Sequence, residues 1–80
     1  MIDLGRLRAL PAVAVHGSVG GAAAALGFTP SAISQQIAKL ERETRTVLLE
    51  RQGRGIQLTD AALRLADTAH QVLALVEQAE

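Results

Sequence analysis

The sequence contains no cysteine, tryptophan or tyrosine, and only one phenylalanine. Without cysteine the chain can form neither a disulfide scaffold nor a thiolate metal cluster. It also lacks an apolar run of the ~20 residues that a membrane-spanning helix needs. Its N-terminus has no positively charged segment before an apolar core, as a secretory signal would have. These absences favour a soluble, cytoplasmic protein that does not contact a membrane.

The 80 residues suffice for about one domain, and the core of that domain must be aliphatic. Hydrophobic residues make up 49% of the chain, and nearly all of them are Ala, Leu, Val or Ile. Because alanine and leucine favour helices, we expect a mostly α-helical protein.

Charge is divided unevenly along the chain, although the formal net charge is zero. Residues 1–59 carry seven basic and four acidic side chains, a net charge of +3, whereas residues 60–80 carry one basic and four acidic ones, a net charge of −3. Such asymmetry is typical of a chain in which one half faces a polyanion. A solvated surface of mixed charge produces the same pattern.

Apolar spacing predicts two helices in the N-terminal part of the chain. The first, over residues 2–16, would begin at an N-cap formed by Asp3. It would kink or end early near Pro11, because proline lacks the N–H that a helix interior uses. After a break at Gly17, Ser18 is placed to cap a short helix over residues 22–26. The apolar stripe of the first helix comprises Leu4, Leu7, Leu10, Val13 and Ala14.

A third helix is predicted over residues 30–43. Thr29 is a good N-cap, and Pro30 suits the first helical position. Three residues at spacings of four and three share its inward face: Ile33, Ile37 and Leu40. The opposite face is polar at its start and basic at its end, and comprises Ser31, Gln35, Ala38, Lys39 and Arg42, with Ser34 on its flank.

The rest of the chain predicts a hairpin and a long helix. Two short extended segments, 47–49 and 56–58, flank a Gly-Arg-Gly centre, which favours a small β-hairpin. From Thr59 onward, apolar residues alternate at spacings of four and three, the heptad pattern of a helix ~30 Å long that packs on a second chain. The members of this heptad seam are Leu58, Ala62, Leu65, Ala69, Val72, Val76 and Ala79.

Helices joined by a Gly-containing turn and followed by a hairpin form a winged helix-turn-helix, whose third helix enters the major groove of DNA. We therefore predict such a domain, with three helices and a two-stranded wing, over residues 1–58, followed by a linker helix for dimerisation over residues 59–80. A plain helical bundle has the same helix order. The polar and basic face of the third helix favours DNA, as does Arg54, which stands between two glycines as a groove-inserting arginine would.

Four segments of the chain resemble LysR-type transcriptional regulators. They are SVGGAAAAL at 18–26, TPSAISQQI at 29–37 with Leu40-Glu41, LLER at 48–51 and GIQLT at 55–59. The resemblance covers essentially all of the chain. It implies a bacterial regulator that binds an imperfectly palindromic site in double-stranded DNA and forms a homodimer through the C-terminal helix, with tetramers as a further expectation for a full-length protein. Family members carry an effector domain beyond this helix, so we expect the chain to be an excised DNA-binding fragment.

The resemblance also assigns roles to residues. It implies base contacts by Ser31, Ser34 and Gln35, contacts of Pro30 with bases or thymine methyl groups, and entry of Arg54 into the minor groove. Weaker candidates, for phosphate contact or helix packing, are Thr29, Gln36, Lys39 and Arg51. The heptad pattern adds four predicted dimerisation residues: Leu65, Ala69, Val72 and Val76.

The chain departs from the family's usual residues at a few positions. The family usually has an aromatic residue at Val19, Leu-Gly at Thr44–Arg45 and Gly at Ala62, and it rarely has a proline at Pro11. None of these positions lies on the outward face of the third helix. The departures therefore bear on packing, above all on the turn after that helix.

No group of residues predicts catalysis or a metal site. His16 and His70 are isolated, without a second histidine or a carboxylate at ligand spacing, and the serines lack a nearby histidine base. We expect no enzyme, no metal and no cofactor. An alternative hypothesis is a helical module that dimerises or binds protein without contacting DNA. The zero net charge and the heptad seam support it, but it leaves the polar face of the third helix unexplained.

Overall fold

Five helices and one antiparallel pair of strands form the part of the chain that the computed structural model describes, residues 3–53 and 55–79. The two N-terminal helices follow each other almost without a gap and together take the place of the predicted first helix. The predicted winged helix-turn-helix with a long terminal helix is confirmed. In chain order the elements are α1 (Leu4–Leu7), α2 (Ala9–His16), α3 (Val19–Leu26), α4 (Pro30–Thr44), β1 (Leu49–Gln52), β2 (Gly55–Leu58) and α5 (Asp60–Ala79).

The predicted first helix is divided at Arg8 into α1 and α2. Pro11 is the third residue of α2, so it lies in the first turn, where its missing N–H would have no helical partner. Asp3 caps α1 as predicted, because its Oδ1 accepts the N–H of Gly5 at 2.7 Å and that of Arg6 at 3.2 Å. The interruption that was expected at Pro11 is instead found at Arg8, three residues before the proline, and α2 continues through Pro11 to His16.

Helix α3 begins at Val19, three residues earlier than the sequence predicted. Ser18 is the N-cap, and its Oγ accepts the Gly21 N–H at 2.9 Å. The predicted start was wrong because Gly20 and Gly21 were left out of the helix as poor helix formers. Close packing in fact requires a glycine at position 21. A Cβ on Gly21 would lie 3.0 Å from His16 Cβ and 3.0 Å from Ser18 Oγ.

The core lies between the helices and is built from aliphatic side chains. Ile33, Ile37 and Leu40 are 0% exposed, which confirms the predicted inward face of α4. Leu10 of α2 and Leu48, just before β1, are equally buried. The other core residues are Leu7, Ala9, Val13, Ala22, Ala23, Ala62, Ala66 and Ala69.

The predicted hairpin is present, with Leu49 paired to Leu58 and Gln52 to Gly55. Its first strand is displaced from the predicted 47–49 to Leu49–Gln52, because Leu48 is drawn into the core. Thr59 caps α5 as expected, since its Oγ1 accepts the Ala62 N–H at 3.1 Å.

Much of the heptad seam packs on the chain's own domain. Ala62 and Ala69 belong to the core, and Leu58, Leu65 and Val72 pack against it half-buried. Ala69 is 1% exposed, so it leaves no surface to a second chain. An apolar stripe on a helix has the same spacing whether its partner lies in the same chain or in another.

No single described helix is long and apolar enough to cross a bilayer. The segments Leu4–His16 and Val19–Leu26 satisfy that requirement only when taken together, by length and composition, and they are bent by 119°.

Candidate nucleic-acid interface

The N-terminal end of α4 is exposed and tightly capped. Thr29 Oγ1 accepts the Ala32 N–H at 3.1 Å, and Pro30 occupies the first helical turn, where its fixed φ suits the helix. Pro30 and Ser31 are both exposed. Because these residues are small, the backbone at this end of the helix can approach another molecule closely.

The outward face of α4 carries polar side chains followed by basic ones. Its exposed members are Ser31, Gln35, Lys39 and Arg42. Ser34 and Ala38 are half-buried, and Ser34 lies on the flank near β2. A shallow groove there is lined by Ser34 of α4, Val19 of α3, and Ile56 and Gln57 of β2. Among Ser31, Ser34 and Gln35, the residues predicted to contact bases, Ser31 and Gln35 are thus exposed and Ser34 is half-buried.

The wing presents a second polar surface beside this groove. Arg51 on β1 is exposed and pairs across the hairpin with Ile56. Gly53 at the tip has φ +60°, a left-handed conformation that glycine adopts without strain. Arg54, predicted to enter the minor groove, lies outside the described residues.

One salt bridge occurs in the described part of the chain, and it joins α1 to α4. Arg6 donates from Nε to Glu43 Oε1 at 3.0 Å and from Nη2 to Glu43 Oε2 at 2.7 Å. These hydrogen bonds lower the pKa of the Glu43 carboxyl and raise the pKa of the Arg6 guanidinium from their ordinary values. Arg6 is therefore engaged within the chain, and the basic character of α4 comes from Lys39 and Arg42.

The end of α4 has an unusual backbone conformation. Arg45, the C-cap, has φ 54° and ψ 41°, which is the left-handed helical region. It is the one non-glycine residue with positive φ in the described part of the chain. This is the position at which the resemblance expects glycine, and the left-handed conformation explains that preference.

Two acidic residues of α4 have structural roles that sequence reasoning did not assign. Glu43 binds Arg6, and Glu41 accepts hydrogen bonds from the backbone of Leu48 and Leu49. In each case the two partners are seven or more residues apart and do not lie in the same helix. Helical periodicity therefore could not predict either contact. Glu41 appeared in the sequence only as part of a motif.

The predicted dimerisation residues differ in their accessibility. Ala69 is covered by the chain's own core, and Leu65, Val72 and Val76 are half-buried. The more exposed apolar residues of α5 are Leu63 and Leu75, the latter 65% exposed. Among the described residues, no three His, Asp or Glu side chains lie together in an arrangement that could hold a metal ion.

The helices α1 to α4, of which α4 is capped and has a polar outer face, and the adjoining hairpin define a winged helix-turn-helix protein. A family model described as "Bacterial regulatory helix-turn-helix protein, lysR family" matches residues 4–63. The chain belongs to this family.

Relatives and solved structures agree with this assignment. The chain is 41% identical over 73 residues to an HTH-type transcriptional regulator of Mycobacterium tuberculosis strain H37Rv, and 37% identical over 79 residues to the HTH-type transcriptional regulator YofA of Bacillus subtilis. These matches cover 91% and 99% of the chain but 23% and 28% of the relatives. The chain thus spans about a quarter of the length of these two proteins.

Among solved structures, a CbnR DBD–DNA complex matches with a TM-score of 0.86 at 34% identity, covering 96% of this chain and 88% of that one. A complex of the BenM DBD with benA site 1 DNA matches with a TM-score of 0.84 at 33% identity, covering 95% and 85%. The fold similarity therefore extends over nearly the whole of both of these chains.

Proposed function

We propose that this chain is the DNA-binding domain of a LysR-type transcriptional regulator, and that it binds double-stranded DNA by inserting α4 into the major groove. The observation that carries the proposal is the contrast between the two faces of α4. Its inner face is fully buried, whereas its outer face presents short polar side chains and then basic ones. A major groove about 12 Å wide admits a helix. The similar CbnR and BenM structures are DNA complexes, which supports the same role here.

In this proposal the base contacts come from the first turns of α4. The exposed amide of Gln35 suits a bidentate contact with adenine, worth about 1–3 kcal/mol of discrimination. Ser31 and Ser34 have hydroxyls that can donate to or accept from several bases, and Pro30 offers an apolar surface to a thymine methyl group. Specificity from direct contacts is therefore modest, and Arg54 would add sensitivity to the width of the minor groove.

Phosphate contacts supply most of the affinity in this account. Lys39 on the outward face of α4 and Arg51 on β1 are exposed cations and are the proposed phosphate ligands. The Thr29 oxygen accepts the Ala32 N–H, which leaves its hydroxyl proton free to donate to a phosphate.

The proposed assembly is a homodimer through α5, which would present two α4 helices to the two halves of an imperfect palindrome. Leu65, Val72 and Val76 retain part of their surface, and Leu75 is 65% exposed, so a second copy of α5 would remove apolar area from water. For the full-length regulator we propose that dimers pair further into tetramers. This role needs no catalysis, metal or cofactor, and it places the protein in the cytoplasm.

Site selection from a random duplex pool, followed by one matched pair of variants, tests the proposal. Gln35→Ala should relax the preference at one base pair of each half-site, with about tenfold weaker binding to the preferred sequence. Gln78→Ala removes another exposed amide, near the end of α5, and should leave the base preference unchanged.

An equal loss for Gln35→Ala on every duplex would contradict its role in base contact. A folded wild-type chain that binds no duplex would instead support the alternative, a dimerisation or protein-interaction module without DNA contact. The zero net charge and the exposed Leu75 are the observations that favour that alternative.

A further inference from the structure

A single carboxylate joins α4 to the wing. Glu41 Oε2 accepts the Leu48 N–H at 2.8 Å and the Leu49 N–H at 3.2 Å. Leu48 is fixed in the core at 0% exposure, and Leu49 is the first residue of β1. Among the side-chain hydrogen bonds of the described residues, these two are the ones that connect α4 with the start of the wing.

The hydrogen bonds at the other side of the wing's base come from Thr59, and Leu49 and Leu58 pack against the core. The two strands pair with each other, and β2 packs on α5. Thr59, which caps α5, donates its N–H to Leu48 O at 3.0 Å and its hydroxyl to Val47 O at 2.7 Å. The base of the wing is therefore held by Thr59 from the side of α5 and by Glu41 from the side of α4. Removal of the carboxylate would leave the wing attached through Thr59 and the packing of Leu48 and Leu49, but without a hydrogen bond from α4 that fixes its angle to that helix.

We infer that Glu41 is a positioning residue, which sets the orientation of the wing relative to α4 so that both elements can contact one DNA duplex. The consequence for DNA rests on the proposed function, whereas the orientation itself does not. An ionised carboxylate makes stronger hydrogen bonds to backbone N–H groups than a neutral acceptor. Because one oxygen receives two consecutive N–H groups, it restrains both the position and the direction of the chain entering β1. Arg51 lies two residues beyond Leu49 and moves with it.

The orientation can be measured in the free chain by NMR. In Glu41→Ala, residual dipolar couplings of Glu50–Gln52 should no longer fit the orientation of α4, and amide exchange at Leu48 and Leu49 should rise about tenfold or more. Glu41→Gln keeps an amide oxygen for the same two donors and should give an intermediate result. Glu43→Ala is the matched control, because it removes a carboxylate two residues away that binds α1 instead of the wing. Unchanged couplings in Glu41→Ala would overturn the inference.

Duplexes that share their half-sites but differ in the flanking sequence test the consequence for DNA. Wild type and Glu43→Ala should prefer some flanks over others, and Glu41→Ala should lose that preference while keeping the base preference attributed to Gln35. If Glu41 only stabilised the fold, Glu41→Ala would weaken binding to all duplexes equally, and that result would overturn the inference. Equal binding of the wild type to all flanking sequences would overturn it as well.

Two further outcomes remain informative. If Glu41→Ala does not fold, Glu41→Gln serves in its place: a partial loss of flank preference supports the inference, and an unchanged preference overturns it. If wild type binds no duplex, the proposed function fails, whereas the NMR couplings of the free chain still decide the role of Glu41.

Discussion

Replacement of Arg45 by glycine should stabilise the protein. Arg45 is the C-cap of α4 and has φ 54°, a conformation that costs a residue with a Cβ roughly 1–2 kcal/mol. Glycine removes that cost but gives the unfolded chain more freedom, which offsets roughly 0.5–1 kcal/mol of the gain. The expected net gain in the free energy of unfolding is thus about 0.5–1 kcal/mol. For a domain of this size it corresponds to a rise in Tm of about 4 °C.

Urea denaturation followed by circular dichroism measures this gain directly. Arg42→Gly is the matched control, because it removes the same charge from the last turn of the same helix at a position with helical backbone. There glycine should cost about 1 kcal/mol, so the two variants should move the midpoint in opposite directions. All chains must be compared at one concentration, since the proposed dimerisation would make the apparent stability depend on concentration. A loss of stability in Arg45→Gly similar to that in Arg42→Gly would refute the reasoning.

Two further predictions concern stability. Glu43→Gln should be less stable than wild type near neutral pH, because the lowered pKa of the Glu43 carboxyl means that the folded state favours its ionised form. The ionised carboxyl stabilises the fold above its unfolded-state pKa, and this contribution is lost as pH falls through the folded-state pKa. Denaturation at about pH 7 and about pH 3 measures the difference, and a constant difference would contradict it. Gly20→Ala should stabilise α3 by up to about 1 kcal/mol, since nothing lies within 4 Å of the added Cβ. Gly21→Ala should give no such gain, because its Cβ would lie 3.0 Å from His16 Cβ; equal thermal shifts would show that the close approach at Gly21 is unimportant.

Local signals predicted much of the fold. Thr29 and Pro30 mark the start of α4, and the spacing of Ile33, Ile37 and Leu40 identifies its buried face, because caps and helical periodicity involve neighbours in sequence. The hairpin was predictable for the same reason, although its first strand was displaced once Leu48 entered the core. The outward placement of Ser31 and Gln35 follows directly from the buried face.

Contacts between distant segments were not predictable from a single sequence. The carboxylates of Glu41 and Glu43 look like solvated charges until the fold brings Leu48 and Arg6 to them. The heptad seam of α5 was identified correctly as apolar, but its spacing could not show that Ala69 packs within its own chain. The role of Arg45 became visible only from its backbone angles.

The central claim, that α4 and the wing bind DNA, is tested most directly by fluorescence anisotropy of the chain with a mixed duplex pool at increasing salt. Binding should be readily detected at low salt and should weaken steeply, because neutralised phosphates release counterions. With Lys39 and Arg51 contacting phosphate in each protomer of a dimer, the slope of log K against log salt should be about −4. A folded dimer that binds no duplex even at low salt, or whose binding is independent of salt, would contradict the account.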